Sequence, residues 1–231
     1  MIIAAIRKNV WDSRVLTRLM LWNDREPQDG PTNMAVDEWV WHHATMPVLR
    51  VYRWSGDWMS IGYFSKAAMV PAGRAFVRRP TGGGLVDHRA DWTYTLVIPR
   101  GHAMAEMPGA ASYEIVHRAL RDVLVAEGLD CRLIGQDGSN ASAFCFEHPV
   151  THDLIDASGR KLAGAGQRRG RQGLLHQGSV QVKDDRDSMR ALRLAERLCA
   201  FPESGEMQPD GSWIARRCAE VYAHASWNGK K

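Results

Sequence analysis

Residues 47–54 (PVLRVYRW) and 92–98 (WTYTLVI) alternate apolar and polar side chains, the period of strands with one face in a core. Residues 112–127 repeat at helical spacing instead, with Ile115, Val116, Ala119, Leu120, Val123 and Leu124 on one face and Gly128 placed as the stop. A polar turn at 26–31 (EPQDGP) precedes a predicted helix capped by Thr32 or Asn33, in which Val36, Trp39, Val40 and His43 share a face. Short strands are expected near 131–134 and 152–156. A hairpin-like turn follows at 157–160, then strands over 161–165 and 174–182 on either side of the arginine-rich 168–173. Helices over 187–199 and 212–223 close the chain, the second with Ile214, Cys218, Val221 and Tyr222 on one side. Helices and strands interleave without a βαβ rhythm, which predicts an α+β fold around a mixed sheet. No linker divides it, so residues 1–231 are expected to form one domain.

The composition excludes several classes. With 45% apolar and 24% charged residues over 231 positions, the chain is an ordinary globular one that can bury a sizeable core. No uncharged apolar run approaches the roughly 20 residues of a membrane helix. Arg7 and Lys8 follow the short apolar start, so no secretory signal is expected. Cys131, Cys145, Cys199 and Cys218 lack C-x-x-C spacing, which argues against zinc and a disulfide framework and for a reducing cytoplasm. A net charge of +4 is too mild for a dedicated nucleic-acid binder and suits an acidic protein partner.

Three segments carry candidate chemistry. Residues 78–88 (RRPTGGGLVDH) join two arginines to Gly82, Gly83 and Gly84 and then to His88. Three ordered glycines lose much backbone entropy, and belong where a ligand or another backbone comes close; the plainer alternative is a bulged loop. The segment is neither a P-loop, lacking Gly-Lys-Ser/Thr, nor a dinucleotide fingerprint. Lys161 begins a run of small residues (KLAGAGQ) that can aim its ammonium at a carbonyl or phosphate oxygen, unless it is a solvated strand end. Cys145, in AFCFEHP, sits in a loop-like setting where neighbouring cations can stabilise a thiolate; His148 lies three residues on, with no base role readable for it. The other three cysteines read as core residues.

Taken in order, Asn33-Met34-Ala35-Val36-Asp37-Glu38, Leu49-Arg50-Val51-Tyr52-Arg53-Trp54, Ser60-Ile61-Gly62-Tyr63, the arginine–glycine segment with His88, Lys161 to Gln167, and Leu175-His176-Gln177-Gly178-Ser179 resemble the lipoate-protein ligase and octanoyltransferase family. The resemblance runs from about Asn33 to Val182. It implies the fold of biotin protein ligases and class II aminoacyl-tRNA synthetases, a mixed, mostly antiparallel sheet flanked by helices. It also implies that Arg79, Gly82, Gly83, Gly84 and His88 line an acyl pocket, that Lys161 is the required lysine, and that Asp153, Gly164, Gln167 and His176 belong to the substrate site. Where the family more often has Gly-Ser-Ala-Gln, this chain has Gly164-Ala165-Gly166-Gln167, and Ala165 supplies no hydroxyl.

Two chemistries share that scaffold. ATP-dependent ligases usually carry Arg-Asn-Asp upstream of the lysine and often a further C-terminal domain. This chain has Val150-Thr151-His152-Asp153, and no accessory C-terminal domain is expected. One group of octanoyltransferases carries a nucleophilic Cys-Phe pair there, which Cys145-Phe146 resembles. The resemblance therefore implies octanoyl transfer from acyl carrier protein to a lysine of a lipoyl domain or glycine-cleavage carrier protein, through a Cys145 thioester and without cofactor or metal. Arg168, Arg169 and Arg171 either steer such acidic partners or form a solvated turn. The alternatives are a lipoate ligase using ATP and Mg, with Asp153 helping to place the adenylate, and a non-catalytic domain that binds acylated carriers. Neither nucleic acid nor membrane is an expected partner.

Overall fold

The computed structural model describes residues 15–135, 150–182 and 187–230. Strand β1 (Met20–Asn23) leads to helix α1 (Gly30–His43), then β2 (Val48–Tyr52), β3 (Trp58–Ile61), β4 (Ala75–Arg78), β5 (Val86–Asp87) and β6 (Trp92–Pro99). After the short α2 (Ala103–Glu106) come α3 (Gly109–Ala126), β7 (Cys131–Leu133), β8 (Leu154–Asp156), β9 (Lys161–Gly170) and β10 (Gly173–Val180). The chain continues through α4 (Asp187–Leu198), β11 (Glu203–Ser204), α5 (Gly211–Arg217), a π-helical turn (Cys218–Tyr222) and α6 (Ala225–Asn228).

Eight strands form one sheet in the order β11-β1-β2-β6-β10-β9-β8-β7, and β4-β3-β5 form a small second sheet. Only the β11–β1 and β1–β2 pairs of the large sheet are parallel, so the expected mixed, mostly antiparallel sheet is present. Alternation along β10 divides the core. Leu174 and Val180 pack towards Ile115, Val116, Leu120 and Leu194 of α3 and α4, while Leu175 packs with Val36, Val40 and Trp41 of α1.

The structure shifts some expected boundaries. Asp29 rather than Thr32 or Asn33 caps α1, its carboxylate accepting the Thr32 amide at 2.8 Å; Pro31 then fills the first turn, where its missing N–H costs nothing. Helix α1 is buried beyond the predicted face, since Met34 and Ala35 meet Val77 and Tyr222 on its far side. The closing helix breaks after Arg217 into the π-helical turn. Strand β9 runs through Arg168 and Arg169 to Gly170, because pairing with β10 continues to Gly170↔Gly173 and leaves only Arg171 and Gln172 in the turn.

Candidate active site

The loop between β4 and β5 carries the glycines over the middle of β9, where Gly82 and Gly166 meet. Its approach demands bare backbone beneath it: a Cβ on Gly62 would lie 1.9 Å from the carbonyl oxygen of Gly83, and one on Gly166 would lie 2.3 Å from that of Gly82. Gly83 itself has φ +96°, a left-handed conformation that glycine adopts without strain, whereas Cβ atoms on Gly82 and Gly84 would meet nothing within 4 Å.

The loop roofs a cavity whose walls include Arg79, Gly83, Gly84, His88, Lys161 and Gly164. Its floor is fixed from α1. Asp37 accepts hydrogen bonds from Arg50 (2.7 Å), Thr95 Oγ1 (2.7 Å), Gln177 Nε2 (2.7 Å) and the Tyr52 hydroxyl (3.1 Å). Gln177 Oε1 in turn accepts from Thr81 Oγ1 at 2.8 Å, so one buried carboxylate holds the helix, the sheet and the glycine loop together.

Two cations face this space. Lys161 Nζ lies 2.7 Å from Asp153 Oδ2, over a strand position where a Cβ on Gly164 would come within 2.5 Å of that nitrogen. Asp153 is fully buried; its Oδ2 also accepts the Val150 amide at 2.8 Å and its Oδ1 accepts the hydroxyl of Tyr113. Burial, and then the charge of Asp153, holds the Tyr113 phenol well above its ordinary range, so it acts as a donor to the carboxylate. Arg79 is the second cation. Burial pushes it down to about 10, and among the described residues no carboxylate pairs with it. It donates to Ser60 Oγ (2.6 Å) and to the carbonyls of Gly82 (3.3 Å) and Gly84 (3.0 Å).

The remaining expected residues are placed differently. Gln167 and His176 pair with each other at 3.0 Å on the α3 side, because His176 points opposite to Leu175 and Gln177 on β10. Burial, then His117 and Arg169, hold the His176 imidazole well below its usual range. Gln167, His176, Asp153 and Gly82 lie outside the cavity wall. Arg78 turns away from it to bind carbonyls of the C-terminal segment. Arg168 lies over the Trp41 ring, and Arg169 is held by the Ala105 carbonyl and Ser112, so the solvated-turn reading fits Arg171 alone. Cys145 and His148 lie outside the described residues. Ser60, Thr81 and Gln177 stand inside the resembling segments without a role of their own there, and Asp91 and Tyr113 stand outside them; the available hint was a polar residue inside an apolar strand, as Ser60 stands between Met59 and Ile61.

The profile of the lipoyl protein ligase A/B catalytic domain matches residues 29–199. The chain is 33% identical over 180 residues to "Octanoyltransferase LipM" of Kyrpidia tusciae, covering 69% of this chain and 65% of that protein. It is also 33% identical over 187 residues to the protein of the same name in Halalkalibacterium halodurans, covering 72% and 67%. It thus spans about two thirds of the length of these curated relatives. Among solved structures, lipoate-protein ligase A bound with ATP superposes with a TM-score of 0.67 at 21% identity, covering 93% of this chain and 98% of that one. The bi-partite lipoate protein ligase of Thermoplasma acidophilum does so with 0.67 at 19%, covering 93% and 96%. These structural likenesses carry the fold, and the profile match over most of the sequence carries the kinship: the chain belongs to the lipoyl protein ligase A/B catalytic domain family.

Proposed function

We propose that the protein is an octanoyltransferase of protein lipoylation, moving an octanoyl group from acyl carrier protein to the ε-amine of a lysine on a lipoyl domain or glycine-cleavage carrier protein. The observation that carries this reading is the identity to relatives named octanoyltransferase, joined to a cavity with a lysine held on a buried carboxylate. In the proposed reaction the Cys145 thiolate attacks the carrier thioester carbonyl. A C–S bond forms, the carbonyl electron pair becomes an oxyanion facing Lys161, and collapse expels the carrier thiolate, which takes up a proton. The acceptor amine then attacks the new thioester, a C–N bond forms, the bond to Sγ breaks, and the amine proton passes to the sulfur. A thioester is already activated towards an amine, so this route consumes no ATP. The cysteine's part rests on the sequence resemblance alone.

The geometry of Asp153 supports transfer over the ligase alternative. Both of its oxygens are taken by donors of the protein itself, which suits holding Lys161 better than placing an adenylate. Intact-mass measurement tests the choice. Mixing the protein with octanoyl-carrier protein is expected to add one octanoyl group, mapped to Cys145. An adenylate formed only from free acid with ATP and Mg would instead establish the ligase, and neither product would leave a carrier-binding domain.

A further inference from the structure

The cavity's histidine does not end in the cavity. His88 Nε2 lies 2.6 Å from Ser60 Oγ, and its Nδ1 lies 2.8 Å from Asp91 Oδ2. Ser60 Oγ in turn accepts Arg79 Nη1 at 2.6 Å. Arginine can only donate and a carboxylate can only accept, so with one proton on the hydroxyl and one on the imidazole the bonds run in a single direction. Arg79 donates to Ser60, Ser60 to His88, and His88 to Asp91. The side chain of Asp91 is fully buried, and the same Oδ2 also takes the Ser179 and Thr93 hydroxyls at 2.6 and 3.0 Å. The Trp54 ring stacks on His88 at 3.9 Å between centroids and fixes its plane.

A serine, histidine and aspartate at these distances have the spacing of a nucleophilic triad, yet Ser60 is fully buried and its oxygen already faces a guanidinium. It lies outside the cavity wall and cannot reach a substrate. What the chain of bonds does reach is the glycine loop, because Arg79 Nη2 holds the carbonyls of Gly82 and Gly84, and the Gly84 carbonyl also accepts the Gly62 amide at 3.2 Å.

We propose that Ser60, His88 and Asp91 are positioning residues: a polarised relay that supplies Arg79 with a distant counter-charge and locks the glycine loop in the shape that seats the acyl chain. This rests on the octanoyl-transfer reading only for the identity of what is seated. The relay connects two opposite buried charges through a hydroxyl and an imidazole, so its members act as one unit and their removal is not additive.

The test uses Ser60→Ala, Asp91→Asn and their combination, since neither residue lines the cavity. Each single variant is expected to raise KM for octanoyl-carrier protein about tenfold while kcat stays within about twofold, and the pair to cost no more than the worse single change. Hydrogen exchange at the Gly62 and Tyr63 amides, which donate to the loop carbonyls of Gly84 and Thr81, is expected to quicken about tenfold while the amides of β10 keep their protection. Unchanged exchange at those two amides, or additive effects in the cycle, overturns the relay. Should Ser60→Ala fail to fold, Asp91→Asn, which keeps shape, removes the charge and turns one acceptor oxygen into a donor, decides the matter by the same exchange measurement. Wild-type protein that transfers no octanoyl group would sink the transfer reading and leave the exchange test intact.

Discussion

Asp153 holds Lys161 by a 2.7 Å contact from Oδ2, and spends its other oxygen on Tyr113. The carboxylate is wholly buried while the lysine side chain is 28% exposed. Neutralising Asp153 therefore frees the lysine to swing to water instead of stranding a buried charge. Asp153→Asn is expected to lower the octanoyl-transfer rate about 10²-fold through misplacement of the ammonium. Its stability cost is expected to be about 1 kcal/mol, short of the roughly 3–5 kcal/mol of a wholly buried pair. Transfer kinetics beside urea unfolding separate the two effects, and wild-type turnover in this variant would show that the ion pair does not set the lysine's position.

The glycine beneath the lysine gives a second prediction. A Cβ at Gly164 would lie 2.5 Å from Nζ, so Gly164→Ala is expected to displace the ammonium and to mimic Lys161→Ala, a loss of about 10²- to 10³-fold. Lys161→Arg is expected to fare little better, because a planar guanidinium cannot lie where a compact ammonium crosses the bare strand. Rates within about tenfold of wild type for Lys161→Arg would mean that charge alone suffices.

The three consecutive glycines are not equivalent. Gly83 has φ +96° and its Cβ would lie 3.1 Å from Arg79 Nη2, whereas Gly82 and Gly84 have open space. Gly83→Val is expected to lose transfer severely and Gly82→Ala to keep most of it. Gly62→Ala, which drives a methyl into the Gly83 carbonyl, is expected to be as harmful as the change at Gly83 itself. Melting temperatures measured alongside show whether the loop or the whole fold has yielded; equal damage at Gly82 and Gly83 would refute the ranking.

Much of this was legible in the residues. Alternation marks β2 and β6 although both of their faces are buried, because the polar positions Arg50, Thr93 and Thr95 turn to the carboxylates of Asp24, Asp37 and Asp91, and the i, i+3, i+4 face marks α3. The β4-β3-β5 sheet left no such print: its strands are two to four residues long, too short for a period to show. Lys161 was visible as a cation among small residues, but its partners were not, since Tyr113 meets Asp153 across 40 positions. Nor did the equal spelling of Arg78 and Arg79 reveal that tertiary contacts send them to opposite tasks.

His117 carries a pH prediction. Burial pushes it down to about 4, and its Nδ1 donates to the His152 carbonyl at 2.6 Å while Nε2 has no partner among the described residues. The unfolded chain takes up that proton near pH 6.5, the folded one only near 4. Between those values the unfolded state binds more protons, so stability falls as the pH drops from 6.5 to 4, by about 3 kcal/mol from this group. Unfolding free energies across that window are expected to flatten by about one proton in His117→Gln. A slope identical to wild type would mean that the imidazole is not kept neutral by the fold.

Arg78 ties the end of the chain to the rim of the cavity. Its Nη1 donates to the carbonyls of Gly62, Tyr63 and Ser65 at 2.6–3.1 Å, and its Nε and Nη2 to those of Trp227, Asn228 and Lys230, each at 2.9 Å. Trp227 Nε1 returns a bond to the Arg78 carbonyl, and Ser65 Oγ reaches the carbonyl of Gly83, both at 2.9 Å. Lysine has the charge but not the fork, so Arg78→Lys leaves several partly buried carbonyls unmet and is expected to cost about 2–4 kcal/mol. The released segment should then be cut by chymotrypsin after Trp227 at a concentration that spares the wild type, and transfer should fall with it because the loop at 62–65 supports Gly83. Asn228→Ala, which removes the acceptor of the Arg78 amide and a donor to the Tyr222 carbonyl, is expected to do less. If Arg78→Lys resists the protease as well as the wild type does, the guanidinium is not what holds the C-terminal segment in place.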